Sequence, residues 1–455
     1  MTVARTLAAF LTQVSYADLP PQTVEHAAML IASTIASAAF GSGIASSTII
    51  RALARERGGR PEASIWFDTG PKLPVADAAQ VNAVMSDAAA SDDSDLRNIV
   101  HAGTTLASTS LAMAERTGAS GQDVLAAIVL GYEASGRIGE AITPGFRTQG
   151  FHGCLVAIFG GAVATARLLG LDAAHMAQAI ALSATSIGGL MAAANTSVAR
   201  EYHAGLAAML GMHAALAAQR GYVAEEGILE TRQGFFEVYG GTDGASVTRD
   251  LGHEWDIITD MAIKLVPGGH PSHALAEAAA NAARAGHIAP DDVETITVSR
   301  PGVTALSGPV HPTDLIGMAH SPAYFLAAGV ADHDFSWVHA TEAKITDPVI
   351  QQLRDKVRVG APPTEHVERY KQGATVTIRT KDGRTFSNTV YAPQGAGVRG
   401  IDWADVDAKY RALVPRATLS DRQVEESLQV IHDFRNVKHV SALTDLLHEG
   451  SVERL

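Results

Sequence analysis

The histidine and cationic residues that could do chemistry fall in four short segments, each beside glycine or at a predicted helix end. The segments are Ser91-Asp92-Asp93-Ser94-Asp95 with His101 after it, Gly150-Phe151-His152-Gly153, Arg200-Glu201-Tyr202-His203, and Lys264 with His270 and His273. Histidine moves protons near neutral pH, whereas Arg and Lys neutralise anions. Removing a proton next to a carboxylate builds up a second negative charge, so a metal-free enzyme needs both types. The set His101, His152, Arg200 and Lys264 therefore predicts acid–base chemistry on an anion.

Each segment also has a simpler explanation. A histidine at a helix start is commonly a cap or a solvated residue, and the acidic run lacks the spacing of a calcium-binding loop. His270 and His273 could ligate a metal, but the spacing identifies no third ligand, so we predict no metal. Motifs for phosphate-binding loops, dinucleotide sites, serine hydrolases and zinc proteases are absent from the sequence.

The amino-acid composition excludes further classes of protein and of cofactor site. The chain has 455 residues with a net charge of −13, and no run of Lys or Arg indicates nucleic-acid binding. A single cysteine, Cys154, excludes an intramolecular disulfide and an iron–sulfur cluster held by several thiolates. The N-terminal segment fits an amphipathic helix better than a signal peptide, and the apolar stretches are interrupted like core helices, so we expect a cytoplasmic protein with no membrane partner.

The elements that position these residues are mainly helical. Residues 1–265 show helical periodicity between short Gly and Pro breaks, for example the Ser120 and Asp123 capping box before a helix over 124–142. Residues 266–395 alternate like strands, with a hairpin of 374–380 and 385–391 around Lys381-Asp382-Gly383-Arg384. Residues 396–455 return to helix. The sequence thus predicts a mainly α fold, in which a large all-helical domain of 1–265 and 396–455 carries a smaller α+β lid domain of 266–395.

At these segments the chain resembles the MmgE/PrpD family of dehydratases, decarboxylases and epimerases, over essentially its whole length. Besides His152, Lys264 and His273, the resemblance rests on Gly131-Tyr132-Glu133-Ala134-Ser135-Gly136-Arg137-Ile138-Gly139, Ala166-Arg167-Leu168-Leu169-Gly170-Leu171, Ser321-Pro322-Ala323-Tyr324 and Lys381-Asp382-Gly383. It implies an inserted lid, a homodimer and no cofactor. It also implies that His101 and His152 are the active-site histidines and that Lys264 is the lysine at the lid boundary.

The chain departs from the family pattern at two positions. The family segment DFDDT has its first Asp where this chain has Ala90 or Ser91, depending on the alignment; we take Asp93 as the catalytic candidate, with Asp92 and Asp95 as alternatives. Arg200 stands where the family usually has Lys. Because Arg stays charged, we expect it to bind a substrate carboxylate. Further substrate-binding candidates are Arg147, Tyr202, His203 and His273.

The leading functional prediction is a cofactor-independent lyase of the dehydratase type, which abstracts an α-proton from a small di- or tricarboxylate. An isomerase or epimerase is an alternative, because His101 and His152 could act on opposite faces of a substrate. Decarboxylation is a third possibility, since it needs charge stabilisation and a proton donor but no initial base. A non-catalytic binding protein on the family scaffold is the fourth, prompted by the missing Asp.

Overall fold

The structure is a computed structural model that describes residues 1–186, 188–197, 199–241 and 244–448. It divides into two compact units. The first comprises Met1–Ala194, Val198–Ile263 and Asp402–Leu455, and the second comprises Asn195–Ser197 and Lys264–Ile401. Both ends of the chain therefore contribute to the first unit. The predicted fold class, mainly α with a smaller α+β part, is confirmed.

The first unit is built from helices and one short two-stranded sheet. Its elements before the second unit are α1 (Val3–Gln13), α2 (Pro21–Gly41), α3 (Ala45–Arg57), α4 (Val75–Ala88), β1 (Asp93–Asp95), α5 (Ala102–Thr117), α6 (Gly121–Ile142), α7 (Gly145–Thr148), α8 (Cys154–Leu168), α9 (Ala173–Ser183), α10 (Met191–Thr196), α11 (Ala199–Gln219), α12 (Phe235–Val238), α13 (Asp256–Thr259) and β2 (Met261–Ile263). The strands β1 and β2 pair antiparallel, with Asp93 opposite Ile263.

Small residues allow the helices at the centre of this unit to approach closely. In α6 and α8, a Cβ placed on Gly131 would lie 2.8 Å from the carbonyl oxygen of Gly160, and one on Gly160 would lie 2.9 Å from that of Gly131. A Cβ on Gly211 of α11 would lie 2.6 Å from the carbonyl oxygen of Ile158 in α8. Any larger side chain at these positions would push the backbones apart. The abundance of Gly and Ala is thus used to bring α6, α8 and α11 together.

Helix α2 has the length and composition of a membrane-spanning helix, and 83% of its most apolar stretch is buried inside the structure. Burial of this extent is typical of a core helix, because a helix that is apolar on all sides must be covered on all sides.

The second unit contains a four-stranded sheet in the order β4-β3-β5-β6. Its helices and strands are α14 (His273–Gly286), β3 (Val293–Ser299), α15 (Leu315–Ala319), α16 (Pro322–Asp332), α17 (Glu342–Ile345), α18 (Pro348–Arg354), β4 (Val357–Val359), β5 (Ala374–Thr380) and β6 (Thr385–Val390). Strand β3 is parallel to β4 and antiparallel to β5, and β5 and β6 form the predicted hairpin. Helix α14 packs against β5 and β6.

The chain then returns to the first unit through α19 (Trp403–Leu413), α20 (Asp421–His432) and α21 (Ser441–Thr444). Helix α19 packs on α2, so residues near the end of the chain cover part of a core helix that lies near the beginning of the chain.

Candidate functional site

A short connection between β1 and α5 positions His101 in the first unit. The carboxylate of Asp95 accepts hydrogen bonds from the backbone N–H groups of Arg97 at 2.8 Å and Asn98 at 3.1 Å. Ile99 has φ of +58°, a left-handed conformation that is costly for a β-branched residue. The connection is therefore tightly constrained, and it ends with His101 as the N-cap residue of α5.

The imidazole of His101 is oriented by a hydrogen bond to the backbone carbonyl oxygen of Asp93 and lies beside the carboxylate of Asp92. Its Nδ1 lies 2.7 Å from Oδ2 of Asp92 and 2.8 Å from the backbone carbonyl oxygen of Asp93. Because a carboxylate and a carbonyl only accept hydrogen bonds, Nδ1 must carry the proton. The lone pair of the neutral ring is then on Nε2, which is the atom able to take a proton from a substrate.

Asp93 makes different contacts from Asp92. Its Oδ1 accepts a hydrogen bond from the backbone N–H of Gly103 at 2.8 Å, and Tyr132 donates to its Oδ2 at 3.4 Å. Glycine is needed at 103, since a Cβ there would lie 2.6 Å from Oδ1 of Asp93. The contacts thus make Asp93 a cap for α5 and place Asp92 at His101, so they do not favour the catalytic role that the sequence analysis gave to Asp93.

His152 lies beside His101 because the start of α8 approaches the connection before α5. A Cβ on Gly153 would be 2.6 Å from the carbonyl oxygen of Ile99, so only glycine permits this approach. The ring centroids of His101 and His152 are 5.9 Å apart, and that of His203 on α11 is 5.6 Å from His152. The exposed fractions of His101, His152 and His203 are 8%, 6% and 9%. Three segments that are distant in the chain thus form one buried histidine cluster.

Burial and neighbouring cations keep His152 neutral. Burial lowers its pKa well below the usual value, and the charges of His101, Arg200, His203 and Arg147 lower it further. Burial also lowers the pKa of His203, but the nearby carboxylate of Asp87 opposes this shift. A neutral imidazole has one nitrogen that donates and one that accepts, so the cluster is equipped to exchange protons with a bound substrate.

Arg200 is held against the histidine cluster by Asp87. Its Nε lies 3.1 Å from Oδ2 of Asp87, and its Nη2 donates to the backbone carbonyl oxygen of the same residue. Burial alone would lower the pKa of Arg200, but the charges of Asp87, Asp92 and Glu201 outweigh it and raise the pKa. Within the described residues, Nη1 forms no hydrogen bond, which leaves it for a substrate carboxylate.

Asp87 is a site residue that the sequence analysis missed. It is the next-to-last residue of α4, lies in no motif, and is completely buried. Its partner is 113 residues away in the chain, so only the packing of α4 on α11 reveals the pair.

The remaining candidates stay predictions. Lys264 is the first residue of the second unit and is buried, and His273 opens α14 with its ring stacked on His270 at 4.8 Å. Tyr202 is 47% exposed on α11. Arg147, although exposed, lies close enough for its charge to lower the pKa of His152.

One group in the cluster has the composition of a metal site. Asp87, Asp92 and His101 each offer a ligand atom, and these atoms lie within 4.8 Å of one another. Two carboxylates and an imidazole suit a divalent cation such as zinc. The guanidinium of Arg200 on Asp87 would repel such a cation, because like charges a few ångströms apart in a buried site interact strongly. We therefore keep the prediction that the site works without a metal.

The Asp92→Asn variant should lower kcat by about 10²- to 10⁴-fold with little change in KM. An amide at 92 carries no negative charge, so it no longer stabilises the imidazolium that His101 becomes when it takes the proton. Steady-state kinetics on the substrate identified below would measure the effect, and Asp172→Asn, at an exposed N-cap, serves as the control. Unchanged kcat in Asp92→Asn would show that Asp92 does not orient the base.

Asp95 gives the stability of the protein a pH dependence. Its pKa is raised to about 7, because burial, together with the charge of Asp260, outweighs the lowering effects of Arg97 and of the backbone N–H groups of Asn98 and Arg97. The unfolded chain would bind this proton only below about 3.8. Between these values the folded state binds more protons, so the free energy of unfolding should fall as pH rises from about 4 to 7.

The Asp95→Asn variant should remove this part of the pH dependence. Asparagine keeps the oxygen that caps Arg97 and Asn98 but carries no charge, so the variant should be more stable than wild type at pH 8 by about 2 to 4 kcal/mol. At about pH 3.5, below the pKa of Asp95 in the unfolded chain, the two proteins should differ little. Urea unfolding at both pH values measures the difference, and equal stabilities at pH 8 would contradict the assignment.

Comparison with known proteins identifies the family of the chain. The family model described as the MmgE/PrpD N-terminal domain matches residues 5–248, and that of the MmgE/PrpD C-terminal domain matches residues 267–433. Cis-aconitate decarboxylase of Homo sapiens is 26% identical over 84% of this chain and 82% of its own length. Cis-aconitate decarboxylase of Aspergillus terreus is 27% identical over 95% of this chain and 93% of its own length. With both domain models matched along most of its length, the chain belongs to the MmgE/PrpD family.

Proposed function

We propose that the protein is a lyase that acts on a small di- or tricarboxylate, with His101 removing a proton from the carbon next to a carboxylate. The observation that carries the proposal is the environment of Nδ1 of His101, which hydrogen-bonds to the carbonyl oxygen of Asp93 at 2.8 Å and lies 2.7 Å from Oδ2 of Asp92, so that Nε2 is the basic nitrogen. A base held by a carboxylate in a buried site is the arrangement that proton abstraction from carbon requires.

The cations of the site have a complementary role in this proposal. Abstraction of the α-proton places a second negative charge on the substrate carboxylate, and Nη1 of Arg200 is available to bind it. We assign the same role to Lys264, as the resemblance to the family implies. His152, next to both His101 and Arg200, is positioned to supply a proton to the leaving hydroxyl group once it has itself been protonated, and its lowered pKa makes the imidazolium a strong acid.

A decarboxylase is the second candidate, and the relatives favour it. The curated proteins that match this chain from human, mouse and Aspergillus terreus are named cis-aconitate decarboxylases. Loss of CO₂ needs charge stabilisation and a donor that protonates carbon, and Arg200 with a protonated His101 would provide them. The orientation of His101 as a base favours dehydration, so the two reactions must be separated by experiment.

Proton NMR in D₂O distinguishes these reactions when the protein is incubated with a panel of hydroxy di- and tricarboxylates and cis-aconitate. Loss of water with a new alkene signal identifies a dehydratase, release of CO₂ identifies a decarboxylase, and deuterium uptake with neither identifies an isomerase. Absence of all three across the panel would reject the proposal. Prior dialysis against EDTA should leave the rate unchanged if the site needs no metal.

The His152→Gln variant should reduce turnover of any substrate found by about 10²-fold or more. Glutamine fills a similar volume, and the backbone N–H of residue 152 still donates to the carbonyl oxygen of Gly189, so Tm should change little. Activity and thermal unfolding of the same sample measure both quantities. Retained activity would show that the site has been placed wrongly.

A further inference from the structure

The third histidine of the cluster, His203, has no role in the chemistry described above. Its ring centroid is 5.6 Å from that of His152, which is as close as His152 is to His101. At 9% exposure it is the least buried of the three. Each imidazole can accept a proton on one nitrogen and release one from the other, so a row of three is suited to proton transfer.

Gly189 fixes the position of His203 relative to His152. Its carbonyl oxygen accepts the backbone N–H of His152 at 2.7 Å. A Cβ on Gly189 would lie 3.1 to 3.3 Å from three ring atoms of His203, including Nδ1. The backbone at 189 therefore contacts both residues, and the absence of a side chain there lets the ring of His203 lie close to it.

Both rings have a nitrogen available for proton exchange. Nδ1 of His152 and Nδ1 of His203 are buried, and neither forms a hydrogen bond with a residue that the structure describes. A buried polar atom without a partner costs desolvation energy, so a transient partner such as a proton carrier or a bridging water is favoured.

The charges around the two rings differ. Asp87 faces His203 and favours its protonated form, whereas His152 faces His101, Arg200 and Arg147, all of which disfavour a proton on it. Burial also opposes protonation more strongly at His152 than at His203. A proton is consequently easier to hold on His203, while His152 would release one readily to a substrate.

We propose that His203 is a proton relay that carries protons from the solvent to His152. The inference rests on the proposed lyase function. In dehydration, a protonated His203 first passes its proton to the neutral His152. Nε2 of His101 then takes the α-proton, the C–H electron pair forms the alkene, and the C–O pair leaves with the hydroxyl oxygen, which the imidazolium of His152 protonates to water. His101 releases one proton to the solvent and His203 takes one from it, so no net proton is gained or lost.

The His203→Gln variant tests the relay. In weakly buffered solution its kcat should fall by about 10- to 100-fold with KM unchanged, because reprotonation of His152 becomes slow. Added imidazole should restore kcat in a concentration-dependent manner, which a merely structural defect would not show. The control is His213→Gln, an exposed position on the same helix, which should leave kcat unchanged. Unchanged kcat in His203→Gln, or a loss that imidazole does not relieve, would overturn the relay.

A second measurement needs no substrate and separates failure of the relay from failure of the proposed function. In an NMR titration of the histidine ring protons, His203→Gln should raise the pKa of His152, because the charge of His203 contributes to lowering it. The Gly189→Ala variant should move the ring of His203 and shift the same titration. If the His152 pKa shifts in these variants but the protein shows no lyase activity, the proton transfer between the two histidines stands and the proposed lyase function is wrong. If the His152 pKa does not change, the relay is wrong.

Discussion

The His101→Gln variant is expected to lose about 10³-fold or more in kcat and to keep the thermal stability of the wild type. Glutamine has no basic nitrogen, so the only group aligned by Asp92 to accept a proton is removed. The side-chain amide of glutamine can still donate to Asp92 and to the carbonyl oxygen of Asp93, which His101 now contacts. The connection before α5 should therefore stay folded.

Single-turnover and steady-state rates, with Tm measured on the same preparations, check this result. The exposed His213→Gln variant is a matched control, since it removes an imidazole from the first unit without touching the cluster. A His101→Gln enzyme that turns over within tenfold of wild type would exclude His101 as the base and would leave Asp92 without a catalytic partner.

The Arg200→Met variant is expected to lose both stability and substrate binding. It leaves the fully buried carboxylate of Asp87 without its cation, and breaking a buried ion pair in this way typically costs about 3 to 5 kcal/mol. It also removes Nη1, the nitrogen assigned to the substrate carboxylate, so kcat/KM should fall by about 10²-fold or more. Urea unfolding and steady-state kinetics measure the two losses.

A double variant separates the two roles of Arg200. Asp87→Asn combined with Arg200→Met leaves no buried charge at the pair, so most of the lost free energy of unfolding should return. Activity should not return, because the substrate carboxylate still has no partner at this position. Recovery of activity together with stability would mean that Arg200 only supports the fold.

Local sequence signals were sufficient to predict much of the fold. The Ser120 and Asp123 capping box begins α6 as expected, with the Ser120 backbone N–H donating to Asp123 at 2.9 Å. Gly383, in the turn between β5 and β6, has φ of +88° and so requires glycine. These signals act within a few residues, which is why sequence alone reveals them.

The site was predictable only where its residues stand next to glycine or at helix ends. Gly153 follows His152 and permits the approach of α8 to the carbonyl oxygen of Ile99, whereas Gly103 lets Asp93 cap α5 two residues after His101. The division of roles between Asp92 and Asp93 was not predictable. Asp92 immediately precedes β1 and Asp93 is its first residue; successive residues of an extended chain point to opposite sides, so the fold at this point places Asp92 at His101 and Asp93 at the start of α5.

The partner of Arg200 could not be predicted from the residues around it in the sequence. Nothing around Asp87 distinguishes it from an ordinary helical residue, and its role depends on α4 and α11 packing side by side. The sequence singled out Arg200 as a candidate, but it did not indicate that Asp87 holds two of its three guanidinium nitrogens.

A crystal structure with tricarballylate, a tricarboxylate that has neither a hydroxyl group nor a double bond, would test the roles assigned to His101 and Arg200 most directly. We expect one carboxylate on Nη1 of Arg200 and a carbon next to a carboxylate facing Nε2 of His101, at about 3 to 3.5 Å. Tricarballylate bound away from the histidine cluster, or bound there with His101 turned away from its carbon atoms, would contradict it.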